Sequence, residues 1–357
     1  METLWNQASN SHKCFDKPEF IPLLWLKFTP PRTHLMQAAL NIIGEDLVSV
    51  ELQFRKDLES DVPLIRKVGE YVLSSGGKRV RPALLLLAAR LCDYRGDKAV
   101  PLASVIEFIH TATLLHDDVV DSATLRRGLA SANTLWGNEA SVLVGDFLFS
   151  KSFSLMVGVG SLDILRVLSS ATTVIAEGEV MQLLCTGDID LSEERYIGVV
   201  RSKTAILMSA ACEAGAILGN ASSARQKALA DFGMSLGIAF QLMDDTLDYI
   251  ATEEDFGKSI GHDLEEGKIT LPLIHTLRQC TAAERFAIEA VVEKDEMTLD
   301  EFRHVSGLVK KYSGITYTVN AARRYIDECR SQLEVFETTP VTTALLGLAE
   351  YVVTRNH

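Results

Sequence analysis

The chain has 357 residues, 47% of them hydrophobic and 23% charged, so it is long and apolar enough to bury a sizeable core. Acidic residues outnumber Lys and Arg by 48 to 35, which is the opposite of the charge balance of proteins that bind nucleic acid electrostatically. We therefore expect no nucleic-acid partner. The 6 cysteines are scattered without a CxxC pair, which favours reduced core residues over a disulfide framework or a zinc site.

The first 35 residues differ in composition from the rest of the chain. Four of the nine prolines lie here: Pro18, Pro22, Pro30 and Pro31. We predict residues 1–35 to be a disordered N-terminal extension, and an over-called start is the alternative because Met36 opens the first amphipathic pattern. No run reaches the roughly 18 apolar residues that a membrane-spanning helix needs. A cytoplasmic protein without a transmembrane segment is expected.

Residues 36–357 are predicted to form one all-α domain. No proline occurs between Pro101 and Pro272, which favours long uninterrupted helices. From Ile315 onward, apolar residues recur in steps of three and four, as on one face of a helix. Thr281 and Thr298 are each followed three residues later by Glu, the spacing of a helix capping box.

The first chemical motif lies in a largely apolar helical segment. Asp117 and Asp121 are four residues apart, so both carboxylates project from one helix face with Asp118 beside them. A bare motif of this kind is more often a solvated acidic face. Inside an apolar helix it instead indicates a cavity rim where hard oxygen ligands bind Mg²⁺.

A second motif has the same carboxylate spacing. Asp244, Asp245 and Asp248 follow Gln241 in another apolar, proline-free segment. Two such motifs predict two helices that face each other across a cavity and hold metal ions around a polyanion.

Basic residues supply the complementary charge. The segment 76–82 reads GGKRVRP, and its Lys78 and Arg81 suit a diphosphate, although an ordinary basic surface turn would look the same. Arg126 and Arg127 follow the first motif closely enough to contact the same anion. Taken alone, several further candidates fit exposed lysines, an ordinary helical threonine and a core histidine equally well: Lys203, Thr204, Lys258, Lys268 and His110.

Together these motifs resemble those of trans-isoprenyl diphosphate synthases. The segments LLHDDVVD (114–121), FQLMDDTLD (240–248) and GHDLEEGKITLP (261–272), with the basic turn, occur in that family's order over about residues 40–357. The resemblance implies an isoprenoid-synthase-type all-α bundle around a deep central cavity, usually homodimeric. It also implies transient membrane contact during product release.

The implied activity is a Mg²⁺-dependent 1′-4 condensation of isopentenyl diphosphate onto an allylic diphosphate, farnesyl or geranylgeranyl. A long octaprenyl to decaprenyl (C40–C50) product that becomes a respiratory-quinone side chain is expected. A shorter-chain synthase and the non-catalytic subunit of a heteromeric synthase are the alternatives. Two weaker rivals are an HD-type phosphohydrolase, because His116 and Asp117 form a literal HD pair, and a class I terpene cyclase.

The family roles transfer to this chain position by position. Asp117, Asp121 and Asp244 are the implied ligands of three Mg²⁺ ions, supported by Asp118, Asp245 and Asp248, with Lys203 as a further catalytic residue. The implied allylic-diphosphate contacts are Arg126, Lys203, Thr204, Gln241, Lys258 and Lys268. The implied isopentenyl-diphosphate contacts are Lys78, Arg81, His110 and Arg127. Small residues before the first aspartate leave room for a long product, so Ile109, Ala112 and Thr113 are the implied chain-length residues.

Overall fold

The computed structural model describes residues 33–250, 261–294 and 296–354, which form one compact unit. Lys258 and residues 1–32 lie outside the described residues, so the domain limits remain a prediction. The first half contains α1 (Thr33–Asp57), α2 (Pro63–Ser74), α3 (Val80–Leu91), α4 (Ala99–Val120), α5 (Ala132–Trp136), α6 (Asn138–Val159), α7 (Leu162–Leu183) and α8 (Glu193–Val200). The second half contains α9 (Ile206–Leu218), α10 (Ser223–Leu247), α11 (His262–Glu265), α12 (Leu271–Leu277), α13 (Ala282–Val292), α14 (Leu299–Lys311), α15 (Gly314–Leu333) and α16 (Pro340–Thr354).

The all-α prediction is confirmed. Helix α10 packs against α9 and α15, α4 packs against α6, and α3 packs against α9. The larger core cluster spans most of these helices, and a smaller one joins α4 to α1, α2 and α6. Both aspartate motifs lie at the carboxyl-terminal ends of their helices, where Asp121 caps α4 and Asp248 caps α10.

The predicted helix signals agree with the described elements. Thr281 and Thr298 each form a capping box with the glutamate three residues on, at the starts of α13 and α14. Helix α1 differs from the prediction, because it begins at Thr33, three residues before Met36 and inside the segment assigned to the extension. The apolar face predicted from Ile315 is the buried face of α15.

Two local features have no counterpart in the sequence prediction. Strands β1 (Leu125–Arg126) and β2 (Leu129–Ala130) form a small antiparallel hairpin in which Arg126 pairs with Leu129. Its two turn residues, Arg127 and Gly128, have φ of +55° and +76°, the left-handed backbone that matches the twist of a tight hairpin. The second feature is a π-helical turn at Arg201–Ala205, which joins α8 to α9.

Helices α4 and α6 are long and apolar enough to cross a membrane by length and composition alone. Core helices also pass this test, and 61% of the α4 window is buried inside the protein against 33% for α6. Among the described residues this is weak evidence for a membrane span.

Candidate active site

The π-helical turn carries two of the predicted site residues, Lys203 and Thr204. Such turns are rare, occur mostly as single-turn bulges inside α-helices, and are frequently found at functional sites. A Cβ on Gly178 of α7 would lie 2.7 Å from the Ser202 Cβ, and one on Gly237 of α10 would lie 2.5 Å from the Ala205 Cα. The absence of both side chains therefore lets α7 and α10 approach the turn closely.

Lys203 links the turn to the first aspartate motif. Its Nζ lies 2.6 Å from Glu179 Oε2 and 3.8 Å from Asp117 Oδ2. Burial raises the pKa of Asp117 while Lys203 opposes that rise, and burial likewise raises the pKa of Glu179. The sequence analysis did not identify Glu179. In the sequence it looks like any helical glutamate, and only the close packing of α7 at the preceding Gly178 marks its position.

Lys268 forms a similar bridge at the end of the motif. Its Nζ lies 3.1 Å from Asp121 Oδ2 and 2.5 Å from Glu266 Oε2. Burial alone would lower the pKa of Lys268, but Glu266 and Asp121 raise it above its ordinary value. Two lysines thus lie between carboxylates beside the first motif.

Asp118 differs from its two neighbours in the motif. Its side chain is 3% exposed and its Oδ1 accepts a hydrogen bond from Arg126 Nε. The hairpin at Leu125–Ala130 returns the chain so that Arg126 reaches it. This contact distinguishes Asp118 from Asp117 and Asp121, and its supporting role stays a prediction.

In the second motif, two carboxylates have both oxygens engaged by protein donors. Asp245 accepts from the Tyr196 hydroxyl at Oδ2 and from Gln241 Nε2, 2.7 Å away, at Oδ1. Asp248 accepts from the backbone N–H groups of Gly261, at 2.9 Å, and Asp263, at 3.2 Å. Burial raises the pKa of Asp245 to about 7 despite its two donors.

The residues present fit a hard divalent cation. Both motifs lie at helix carboxyl ends, where the helix dipole places partial negative charge. The ionised carboxylates of Asp117, Asp121 and Asp244 are therefore stable there only when cations lie nearby. Oxygen ligands of this kind suit Mg²⁺, which binds through one or two carboxylates together with substrate phosphates. Over residues 33–250, 261–294 and 296–354, no group of three or more His, Cys, Asp or Glu side chains is arranged to hold a metal ion by itself.

The basic turn meets α4 one to two turns before the first motif. Arg81 donates a hydrogen bond to His110 Nε2 across 3.2 Å, and because Arg is only a donor, His110 carries its proton on Nδ1. Burial, followed by Arg81 and other nearby arginines, holds the pKa of His110 well below its usual value. Within the described part of the chain, the buried Arg81 Nε has no hydrogen-bond partner, which suits an incoming anion. Lys78 Nζ lies 5.4 Å from the centroid of the Phe240 ring.

A buried ion pair supports this turn. Arg79 NH1 lies 3.1 Å from Glu107 Oε2, and its NH2 donates to the Leu73 carbonyl. Burial lowers the pKa of Arg127, and the charge of the nearby Arg79 adds to this effect. Sequence reasoning missed Glu107, although it lies one helical turn before His110.

The predicted chain-length residues occupy different surroundings on α4. Ile109 and Ala112 are fully buried, and Ala112 belongs to the cluster that contains Phe108 and Leu148. Thr113 is partly exposed and precedes Asp117 by one turn, so the two share a helix face. The roles of all three remain predictions.

The HD-pair alternative has no structural support among the described residues. His116 Nε2 lies 3.3 Å from Asp146 and 3.2 Å from the Val142 carbonyl oxygen, both on α6. The imidazole therefore contacts α6, on a different side from the Lys203 contact of Asp117.

Known proteins are similar to this chain over most of its length. Residues 62–309 match the family described as polyprenyl synthetase. An octaprenyl diphosphate synthase of Escherichia coli (strain K12) is 44% identical over 319 residues, which cover 88% of this chain and 97% of that protein.

Solved structures that are similar to this chain have the same fold. A polyprenyl synthase from Caulobacter crescentus CB15, complexed with calcium and isoprenyl diphosphate, matches with a TM-score of 0.87 and 40% identity over 91% of this chain and 99% of that one. A decaprenyl diphosphate synthase from Rhodobacter capsulatus matches with a TM-score of 0.84 and 42% identity, over 90% and 98% respectively.

Proposed function

The chain belongs to the polyprenyl synthetase family and is a prenyltransferase, and from this premise we propose that it makes a long trans-polyprenyl diphosphate. The reaction adds isopentenyl diphosphate repeatedly to an allylic diphosphate, farnesyl or geranylgeranyl. The product class is octaprenyl to decaprenyl, since the similar proteins include octaprenyl and decaprenyl diphosphate synthases. A prenyl diphosphate of this length is the precursor of the side chain of a respiratory quinone.

One observation carries this proposal. Lys203 and Thr204 are adjacent on the π-helical turn, and each contacts a different aspartate motif. Lys203 reaches Asp117 on α4, while the Thr204 hydroxyl donates to Gln241 Oε1 on α10 at 2.9 Å. These two contacts support a single site between the two motifs, where a diphosphate would bind.

The residues of the site support the binding of both substrates. Lys203, Lys268 and Arg126 bind the allylic diphosphate and stabilise the charge that grows on it as the C1–O bond breaks. Arg81, Lys78, Arg127 and neutral His110 hold isopentenyl diphosphate. Its double bond then attacks C1, and the proton lost from the new cation passes to the released diphosphate, so the side chains need supply no nucleophile.

Mg²⁺ is the proposed cofactor, with three ions per site. Asp117, Asp121 and Asp244 would hold it, and when bound it would neutralise diphosphate charge as a Lewis acid. Asp118, Asp245 and Asp248 accept the hydrogen bonds described above and would support these ligands.

The protein is further proposed to be a cytoplasmic homodimer. Helices α6 and α7 expose large apolar side chains, including Leu143 (67% exposed), Leu162 (77%) and Val180 (58%). Exposed apolar groups of this size are typical of an interface between subunits. Release of a long apolar product implies transient contact with a membrane.

The test is a product analysis of the purified chain with Mg²⁺, isopentenyl diphosphate and farnesyl diphosphate. We expect octaprenyl to decaprenyl products, and Asp117→Ala or Asp244→Ala should lower turnover by roughly 100-fold or more as charge stabilisation is lost. Asp163→Ala, which alters a carboxylate on the surface of α7 paired with Arg166, is the control and should retain normal turnover.

Other results would contradict the proposal. Products no longer than geranylgeranyl diphosphate would identify a shorter-chain synthase. Turnover only after addition of a second protein would identify a subunit of a heteromeric enzyme. Near-normal turnover in either aspartate variant would disprove the assignment of the metal ligands.

A further inference from the structure

Tyr196 lies on α8, outside both aspartate motifs and the basic turn. It is 5% exposed, and its hydroxyl donates to Asp245 Oδ2 although the two residues are 49 positions apart in the sequence. Asp245 is 2% exposed, and its other oxygen accepts from Gln241. Both oxygens of this carboxylate are therefore occupied by donors from the protein.

The hydrogen bonds continue from Asp245 through Gln241 to Thr204, and each has a defined donor and acceptor. The amide nitrogen of Gln241 donates to Asp245 Oδ1, so the amide oxygen of Gln241 faces Thr204. The Thr204 hydroxyl donates to that oxygen at 2.9 Å. Tyr196 thus stands at one end of a hydrogen-bonded chain whose other end, Thr204, adjoins Lys203.

Most of the residues in this hydrogen-bonded network are buried. Thr204 is 9% exposed, and Tyr196 and Asp245 are more deeply buried still. In a low-dielectric interior, hydrogen bonds of a connected network support one another, and a buried acceptor that loses its donor carries the full cost of desolvation. Loss of the Tyr196 hydroxyl should therefore disturb the carboxylate and every group that it orients.

We propose that Tyr196 is a positioning residue for the allylic-diphosphate half of the site, because its hydroxyl holds Asp245 and thereby sets the orientation of Gln241 and Thr204. The inference rests on the proposed function and assigns Asp245 to this network as an orienting carboxylate, with Asp244 beside it as the metal ligand. Arg81, His110 and Lys78 lie outside the network, so isopentenyl diphosphate binding should not depend on it.

The first experiment compares two variants that each lose one tyrosine hydroxyl. Tyr196→Phe removes the donor to Asp245, whereas Tyr317→Phe removes a donor to Glu193 (2.9 Å) that takes no part in the network. For Tyr196→Phe we expect roughly a tenfold loss of kcat/KM for farnesyl diphosphate, which is the loss typical of removing one hydrogen bond to a charged group. The KM for isopentenyl diphosphate should stay within about twofold of normal. Calorimetric binding of unreactive farnesyl thiodiphosphate should weaken in parallel, and Tyr317→Phe should match the unsubstituted enzyme in all three.

A double-mutant cycle tests whether Tyr196 acts through Asp245. Asp245→Asn should reproduce the selective defect toward the allylic substrate, and adding Tyr196→Phe to it should cause little further loss. Independent, multiplying losses would overturn the inference. If Tyr196→Phe does not fold, Asp245→Asn alone decides, because equal defects toward both substrates would contradict the proposed network.

These results separate this inference from the proposed function. An unsubstituted chain that forms no prenyl product would disprove the function itself. An active chain in which Tyr196→Phe behaves like Tyr317→Phe would disprove only the role of Tyr196.

Discussion

At the scale of single residues, the position of each side chain on its helix decides its chemical part. Asp117 and Asp118 are adjacent, yet Asp118 is held by Arg126 in a buried contact while Asp117 faces Lys203. Successive residues on a helix point about 100° apart, so neighbouring aspartates meet different surroundings. The same rule separates Ala112, which is fully buried, from Thr113, which shares the face of Asp117.

Product length provides a prediction at this scale. Thr113→Phe places a ring one turn before Asp117, on the face where the growing chain must leave the diphosphate site. We expect shorter products, around geranylgeranyl diphosphate, because a close-packed interior cannot take up both the ring and the chain. Ala112→Phe should also shorten the products if Ala112 lines the cavity.

Product chromatography together with thermal melting checks this prediction. Ala112 already packs in a cluster with Phe108 and Leu148, so a ring there should also lower the melting temperature, by the equivalent of about 1–3 kcal/mol of overpacking. A folded, active Thr113→Phe enzyme with unchanged product lengths would show that this face of α4 does not border the chain.

At the scale of elements, residues at the ends of helices include both the stabilising capping boxes and the two aspartate motifs. The aspartate motifs cap α4 and α10 at their carboxyl ends, whereas glutamates close capping boxes at the amino ends of α13 and α14. The capping glutamates agree with the helix dipole, because carboxylates stabilise amino ends. The aspartates at the carboxyl ends oppose it, so they require a cation nearby.

The capping glutamate of α14 gives a prediction about pH. Hydrogen bonds from Lys294 and from the Thr298 backbone lower the pKa of Glu301 to about 2. A depressed folded-state pKa stabilises the protein above the unfolded value, and that contribution is lost as pH falls towards the folded value. Glu301→Gln should therefore lower the melting temperature at pH 6, and the difference should shrink progressively between about pH 4.5 and pH 2.

Circular-dichroism melts of Glu301→Gln and Asp300→Asn across this range test the prediction. Asp300 is the neighbouring carboxylate, and it pairs at 2.9 Å with Arg303 on the same helix, so it serves as the control. A Glu301→Gln difference that stays constant from pH 6 to pH 3 would contradict the role given to the ionised capping box.

At the scale of the whole molecule, burial is uneven over the surface of the bundle. Helix α4 is mostly enclosed, whereas α6 and α7 present exposed apolar side chains. Burial of such area releases about 25 cal/mol per Å² of apolar surface, which favours association through these helices.

A charge placed on this surface should therefore weaken the proposed dimer. Leu143→Glu on α6 should shift the sedimentation equilibrium towards the monomer, because an unpaired carboxylate in an apolar contact must lose its hydration. Leu52→Glu on α1 is a matched control, since Leu52 is 63% exposed and Leu143 is 67% exposed. Equal behaviour of the two variants would place the subunit contact elsewhere.

The sequence by itself determined the helical class, the capping boxes and the two aspartate motifs, since each depends on residues within a few positions of one another. Their spacing of four residues was enough to predict that Asp117 and Asp121 share a face of one helix. The family resemblance then supplied the predicted roles of Lys203 and Lys268.

Only the tertiary structure decided which groups meet. Lys268 reaches Asp121 across 147 positions, and Tyr196 reaches Asp245 across 49, so no local period could reveal either contact. Glu179 and Glu107 look in the sequence like ordinary helical glutamates, and they join the site because close helix packing at Gly178 and around the basic turn brings lysine and arginine to them. Such contacts depend on how the helices pack, and helix packing is set by side chains far apart along the chain.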